Sequence, residues 1–393
     1  MRYLRDIGLA EEIAQDAFVL ALERWPHDGI PGNPAAWLTR VAKNRALNRL
    51  HRTALIDGKH RELAIDLAEL EQETPDIEAV LDEDINDDLL RLIFTACHPV
   101  LPAEQRAALA LRMLGGLSTS EIARAFLLPE TTAAQRIVRA KRTLREAGIP
   151  FETPRGEERR ERLGAVLEVV YLIFNEGYVP TAGPHWLRQD LCGEALRLGR
   201  SLAALMPEEP EVLGLVALME LQASRFAART DKAGDPVLLL DQDRGRWDWS
   251  LVRRGLGSLD RAMILTPTPG FYVLQAMIAA CHARAVAAAD TDWIAIASCY
   301  QALASAVPSP IVEVNRAVAV GMAFGPAQGL AIAETLRGEP RLKGSHLLPA
   351  ICGDLLEKVG RLAEARAEFL RAAELTGNEK ERALMLARAQ RLS

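Results

Sequence analysis

Aromatic residues make up only 5% of this 393-residue chain, and runs rich in Val, Ile or Thr are few. Those are the side chains that suit a pleated sheet, so strands are poorly supported. Alanine, leucine, arginine and glutamate dominate instead, and these good helix formers predict an all-α protein. Cysteine is scarce as well. The five residues Cys97, Cys192, Cys281, Cys299 and Cys352 are dispersed without a C-x-x-C pair, which argues against a disulfide or zinc framework and for reduced, mostly buried thiols. No apolar run approaches the roughly 18 residues that span a bilayer. The opening "MRYLRDIGLAEE" lacks the apolar stretch and cleavage site of a secretory leader, so the expectation is a soluble, cytoplasmic protein without membrane contact.

Catalytic constellations are missing too. There is no phosphate-cradling G-x-x-x-x-G-K-[ST] and no H-E-x-x-H, and "GLGSLD" around Gly255 and Gly257 lacks the third glycine of a dinucleotide loop. "DQDRGRWDWSLV" starts like a calcium loop, but Gly245 occupies the fifth ligand position and Val252 stands where the terminal Glu belongs. The seven histidines are isolated, and His98 in "TACHPVL" suits a packed or capping role better than ligation. The expectation is a non-enzyme with neither metal nor cofactor.

What the chain does have is 49% apolar residues, enough for two or three cores, and a strongly segregated charge. The net charge is -6, but "AWLTRVAKNRALNRLHR", Ala36 to Arg52, carries +5. Residues 57–88 hold thirteen Asp/Glu against Lys59 and Arg61, a balance of -11. From Arg112 to Arg145 the balance returns to +5. Two basic blocks thus flank an acidic connector, and screening beyond about 8 to 10 Å makes the local field the one a polyanion meets.

Punctuation divides the chain further. The helix of "LAEEIAQDAFVLALERWP" is expected to end at Pro26, and a second to start with Asn33 as cap and Pro34 at its first position. Pro102 is expected to open a helix that closes at Gly115-Gly116, with Ser118 and Glu121 forming a capping box for the next. After Pro129, Thr132 and Gln135 suggest another box at the start of a basic helix. This pair has the spacing of a helix-turn-helix, whose second helix presents its amino-terminal side chains to the major groove. Beyond about Phe151, "LLPAICGDLLEKVGRLAEARAEFLRAAELTGN" matches a tetratricopeptide unit through Gly353, Gly360, Ala365, Phe369 and Ala372. A more degenerate copy includes Pro308 and Pro310. Such units bury their apolar faces against neighbours, which predicts a helical array with a concave face.

With these motifs in order, the chain resembles the extracytoplasmic-function sigma factors of bacterial RNA polymerase, in the subgroup with a tetratricopeptide-like carboxy-terminal extension. "VVYLIFNEGY" and "LLLDQDRGRWDW" look like signatures of that subgroup. The resemblance implies two small helical sigma domains, at 1–53 and 89–148, an acidic linker at 54–88 and a helical extension at 149–393. Gln15, Asp16 and Phe18 match positions that contact the polymerase clamp. Arg40, Lys43, Asn44, Asn48 and Arg49 match the reader of the minus-ten element, although family members often have Asp where Asn48 stands. Thr132, Gln135 and Arg139 match groove-facing positions for the minus-thirty-five element, with Arg136 and Arg142 better placed for phosphates. Core RNA polymerase and promoter DNA are the implied partners. Family members usually have about one more helix ahead of the segment that begins here at Met1, which leaves two readings: a misassigned start or a shortened first domain.

Asn175, Glu176, Asp241, Asp243, Arg244, Arg246 and Trp247 in the two signatures have two readings: caps and hydrogen bonds between repeats, or a groove for a signal or partner. The extension could serve a regulatory protein or an intramolecular contact. The alternative to a sigma factor is a polymerase-independent helix-turn-helix regulator with a repeat sensor.

Overall fold

Proline and glycine set most helix boundaries in the computed structural model, which describes residues 7–57, 88–126, 128–180, 186–232 and 234–392. Helix α1 (Ile7–Asp28) runs through Pro26 and stops at Gly29, where φ is +84°. The expected end at Pro26 is therefore displaced. In the last turn a proline forfeits one hydrogen bond at an exposed helix end, and its fixed φ remains helical. Helix α2 (Pro34–Asp57) opens on Pro34 as expected, and Trp25 and Trp37 meet edge to face at 5.5 Å, packing α1 on α2. The acidic connector falls almost wholly outside the described residues.

Helix α3 (88–96) leads into α4 (Ala103–Met113), α5 (Thr119–Ala125) and α6 (Glu130–Glu146). Pro102 precedes α4, and the chain leaves α4 through Gly116 at φ +68°. The Ser118–Glu121 box forms in both directions: Ser118 N–H donates to Glu121 Oε2 at 2.7 Å and Glu121 N–H to Ser118 Oγ at 3.2 Å. The box expected from Thr132 and Gln135 does not form. Helix α6 starts directly after Pro129 without a side-chain cap, so Thr132 already lies inside its first turn. Leu109, Leu111, Ile122, Ala133, Ile137, Ala140 and Leu144 are buried and make the core of this small domain.

Two compact units result. One comprises residues 1–123 and 129–169, the other 124–128 and 170–393, and α7 (Gly156–Tyr178) begins in the first and ends in the second. In the first unit, Arg162 donates to Phe94 O at 3.3 Å and Arg106 pairs with Glu168 at 2.9 Å. The second unit continues with α8 (Gln189–Leu205), α9 (Pro210–Ala223), α10 (Trp249–Leu265), α11 (Phe271–Arg284), α12 (Trp293–Ala306), α13 (Pro310–Phe324), α14 (Pro326–Thr335), α15 (Leu347–Lys358), α16 (Leu362–Leu375) and α17 (Glu379–Arg391). Consecutive helices pack in sequence, with α9 against both α10 and α11. No strand occurs among the described residues; there is an isolated bridge between Thr230 and Pro236.

Polar ties between helices hold this array. Glu211 on α9 accepts from the backbone N–H of Tyr272 (2.8 Å) and of Val273 (3.4 Å), capping α11 from a neighbouring helix. Glu220, 3% exposed at its side chain, takes Arg200 of α8 and Arg254 of α10. Asn378 donates from Nδ2 to Pro180 O at 3.2 Å, and Lys380 pairs with Asp235 at 2.7 Å, so the start of α17 returns to the segments that follow α7 and α9.

Close approach also depends on small residues. A Cβ on Gly353 would lie 2.7 Å from the Phe369 ring, and one on Gly329 would lie 2.5 Å from Ala317 O and 2.8 Å from Gly321 Cα. Backbone atoms cannot yield as a flexible side chain can. Gly329→Ala is therefore expected to separate α13 from α14 and lower stability by about 1 to 3 kcal/mol, measured as loss of amide-exchange protection in those two helices. Unchanged protection would show that the pair slides without cost.

Candidate nucleic-acid interface

Helix α6 is built to turn one face inward and one outward. Ala133, Ile137, Ala140 and Leu144 are buried at helical spacing, which leaves Thr131, Gln135, Val138, Arg139 and Arg142 exposed along the opposite side. Arg139 is exposed, and Arg142 pairs with Glu146 one turn on at 2.6 Å. Val138, 64% exposed, lies beside Arg139 and one turn before Arg142. Sequence reasoning passed over it because an apolar residue in a helix is ordinarily assigned to the core. Thr132 is half-buried beside the stripe, and Thr131 is the threonine that lies on it. Arg136 is half-buried and reaches back to Glu104 of α4 at 2.7 Å.

The other basic helix, α2, exposes Arg40 and Asn44 one turn apart, with Lys43 half-buried. The side chain of Asn48 lies outside the described residues. Arg49 pairs with Glu12 at 2.9 Å and Arg45 with Asp16 at 2.7 Å, both across to α1. On α1, Gln15 donates to Glu11 at 3.2 Å. Phe18, Val19 and Leu22 are 56%, 53% and 76% exposed, an unusually apolar solvent face for a helix whose Ile13, Ala17 and Ala21 are already buried.

Glu11 joins the two small domains within the first unit. Its carboxylate accepts from Arg112 of α4 at 3.0 Å and from Lys141 of α6. Burial pushes the Glu11 carboxyl up, but the hydrogen bonds and charges of Lys141 and Arg112 outweigh it and hold the group below the usual carboxylate range. Lys141 is thereby turned toward α1.

In the extension the signature residues separate into two classes. Asn175, Asp241, Asp243 and Arg246 are exposed; Glu176, Arg244 and Trp247 are buried. Asp243 accepts from Gly245 N–H at 2.9 Å and Asp248 from Leu251 N–H at 3.1 Å, so the loop's acids shape turns and cap α10. Arg244 and Trp247 join a stack that alternates aromatic rings with guanidiniums. Arg229 lies 5.4 Å from Trp186 and 3.7 Å from Tyr178, Arg225 lies 5.8 Å from Tyr178 and 5.9 Å from Trp247, and Arg244 lies 4.8 Å from Trp247. Each such contact stabilises by about 0.5 to 2 kcal/mol.

Two of these arginines also close helices. Arg229 donates to Tyr178 O at 2.5 Å at the end of α7, while Arg244 donates to His282 O and, at 2.8 Å, to Ala285 O at the end of α11. Cations at helix carboxy termini meet the negative end of the dipole. Burial, together with the charges of Arg225 and Arg244, lowers the His282 imidazole to about 4. Gly177 of the first signature serves close packing: its added Cβ would sit 2.7 Å from Cys192 Sγ and 2.9 Å from Arg188 O.

Comparison with known proteins places these features in context. Residues 1–55 match the family Sigma-70 region 2, residues 91–144 match Sigma-70, region 4, and residues 162–263 match a family of unknown function, DUF6596. An uncharacterized protein of Rhizobium meliloti is 46% identical over 388 residues, covering 98% of this chain and 90% of that protein. The ECF RNA polymerase sigma factor SigK of Mycobacterium tuberculosis (strain H37Rv) is 32% identical over 149 residues, 37% of this chain and 75% of its own length. SigK of Mycobacterium ulcerans is 31% identical over 148 residues, 37% of this chain and 74% of its own.

Proposed function

The chain belongs to the extracytoplasmic-function family of RNA polymerase sigma factors, and from that membership we propose how its parts divide the work of starting transcription at chosen promoters. The family's members are initiation factors, not enzymes, and act with core polymerase on promoter DNA. Residues 1–53 form the polymerase-clamp and minus-ten domain, 54–88 the linker, 89–148 the minus-thirty-five domain and 149–393 the extension. On α1, Gln15, Asp16 and the exposed Phe18 meet the clamp. On α2, Arg40, Lys43, Asn44, Asn48 and Arg49 hold melted minus-ten DNA, whose unstacked bases need hydrogen bonds and whose backbone needs charge. On α6, Gln135 and Arg139 read base edges with Val138 against a thymine methyl, Thr132 flanks them, and Arg136 and Arg142 bind phosphates. The extension regulates or docks a partner, and the protein acts in the cytoplasm.

The observation that carries this reading is the stripe Gln135, Val138, Arg139 and Arg142, left exposed by a helix whose opposite face is fully buried. Reconstitution with core RNA polymerase and start-site mapping tests it: promoter-specific starts are expected only with both present. Tight, sequence-specific binding to duplex DNA without core polymerase, and no specific starts with it, would favour the polymerase-independent regulator instead.

A further inference from the structure

The arginine and aromatic stack of the extension contains one guanidinium, that of Arg225, whose hydrogen bond goes to a hydroxyl and whose other contacts are aromatic rings. Arg229 and Arg244 are answered by carbonyl oxygens at the ends of α7 and α11. Arg225, between them, bonds the Tyr178 hydroxyl and faces two rings, with no carbonyl or carboxylate partner among the described residues. The acids whose charges act on Arg244 and Arg229 are committed: Asp290 accepts from Ala287 N–H at 3.1 Å, and Glu381 is held by Thr376 at 2.6 Å and His346 at 3.1 Å. The stretches of this unit outside the described residues, 127, 181–185, 233 and 393, contain no Asp or Glu.

Around the same charge lie four buried nitrogen atoms without a hydrogen-bond partner among the described residues: Nε of Arg225, Nε of Arg244, Nε1 of Trp247 and Nδ1 of His282. Folded proteins leave only a few such groups per hundred residues, usually scattered. A cation cluster lined with spare donors is complementary to an anion that accepts several hydrogen bonds at once. A guanidinium is the side chain best matched to planar carboxylate and to phosphate. Arg225 is half-buried where Arg229 and Arg244 are fully buried, so the cluster meets solvent on the Arg225 side.

We propose that Arg225, Arg244, Trp247 and His282 form a binding site for a small oxyanion, a carboxylate or phosphate group seated against Arg225. Burial lowers the His282 imidazole most, and the charges of Arg225 and Arg244, which such an anion would neutralise, lower it further. This site is independent of the sigma assignment, since it needs neither polymerase nor DNA.

The test is thermal unfolding and hydrogen exchange of the full chain titrated with inorganic phosphate and, separately, with acetate, each against chloride at matched ionic strength. Expected is a saturable rise in the midpoint of a few degrees with at least one oxyanion, and new exchange protection at 222–229, 244–247 and 280–285. Phosphate alone would identify a phosphorylated ligand, and acetate alone a carboxylate. Arg225→Gln should abolish the saturable response, and Arg225→Lys, which keeps the charge and folds if the neutral variant does not, should weaken it at least tenfold. No response beyond chloride, protection confined to other segments, or a Lys variant that binds like the parent would overturn the proposal.

Discussion

Arg244→Ala is expected to destabilise the carboxy-terminal unit by about 3 kcal/mol, seen as a roughly hundredfold loss of amide-exchange protection in α11. The substitution removes the donor that satisfies His282 O and Ala285 O, takes the cation from the face of Trp247, and opens a cavity in a site only 8% exposed. Each loss leaves a buried group without compensation, which is the costly way to break a polar contact. Arg246, two residues on in the same signature, supplies the control. It is exposed and reaches one carbonyl, Thr230 O, at 3.3 Å, so Arg246→Ala should stay within about 0.5 kcal/mol. Equal effects from the two variants would mean that Arg244 is not the cap of α11.

The second large effect concerns promoter reading. Arg139→Ala in the holoenzyme is expected to cost about 1 to 3 kcal/mol at one position of the minus-thirty-five element, and little once that base pair is already substituted. Arg142→Ala should weaken all promoters alike and lower the salt slope by about 1. The distinction follows from position on α6: Arg139 lies beside Val138 near the middle of the exposed stripe, whereas Arg142 lies a turn further on, paired with Glu146. Binding to a panel of base-substituted promoters at two salt concentrations separates the cases. A uniform loss from Arg139→Ala would move that residue to the phosphates.

The helix-turn-helix and the family were legible in the chain because both rest on local pattern. Pro102, the Gly115-Gly116 stop and the reciprocal Ser118–Glu121 box act within a few residues, so their sequence spacing is their geometry. The apolar period of α6 likewise assigns Ile137 and Leu144 inward without knowledge of what covers them. Where the reading failed, the competing influence was one turn of helix: Pro26 did not stop α1, and starting α6 at Glu130 moved the outward threonine from Thr132 to Thr131.

The signatures of the extension were recognisable as strings but not as chemistry. Nothing near Arg244 in the chain says that its partners are His282 O and Ala285 O, about forty residues on, or that Trp247 shares a stack with Tyr178 and Trp186. Glu11 gives the same lesson, since its cations, Arg112 and Lys141, come from helices more than a hundred residues away. Sequence alone determined the helical class, the charge segregation and the sigma-factor lineage, because propensity, period and capping are properties of neighbours in the chain. Only the tertiary structure decided which cations are satisfied and which remain open, because the free energy of a buried charge is set by whatever the fold brings beside it.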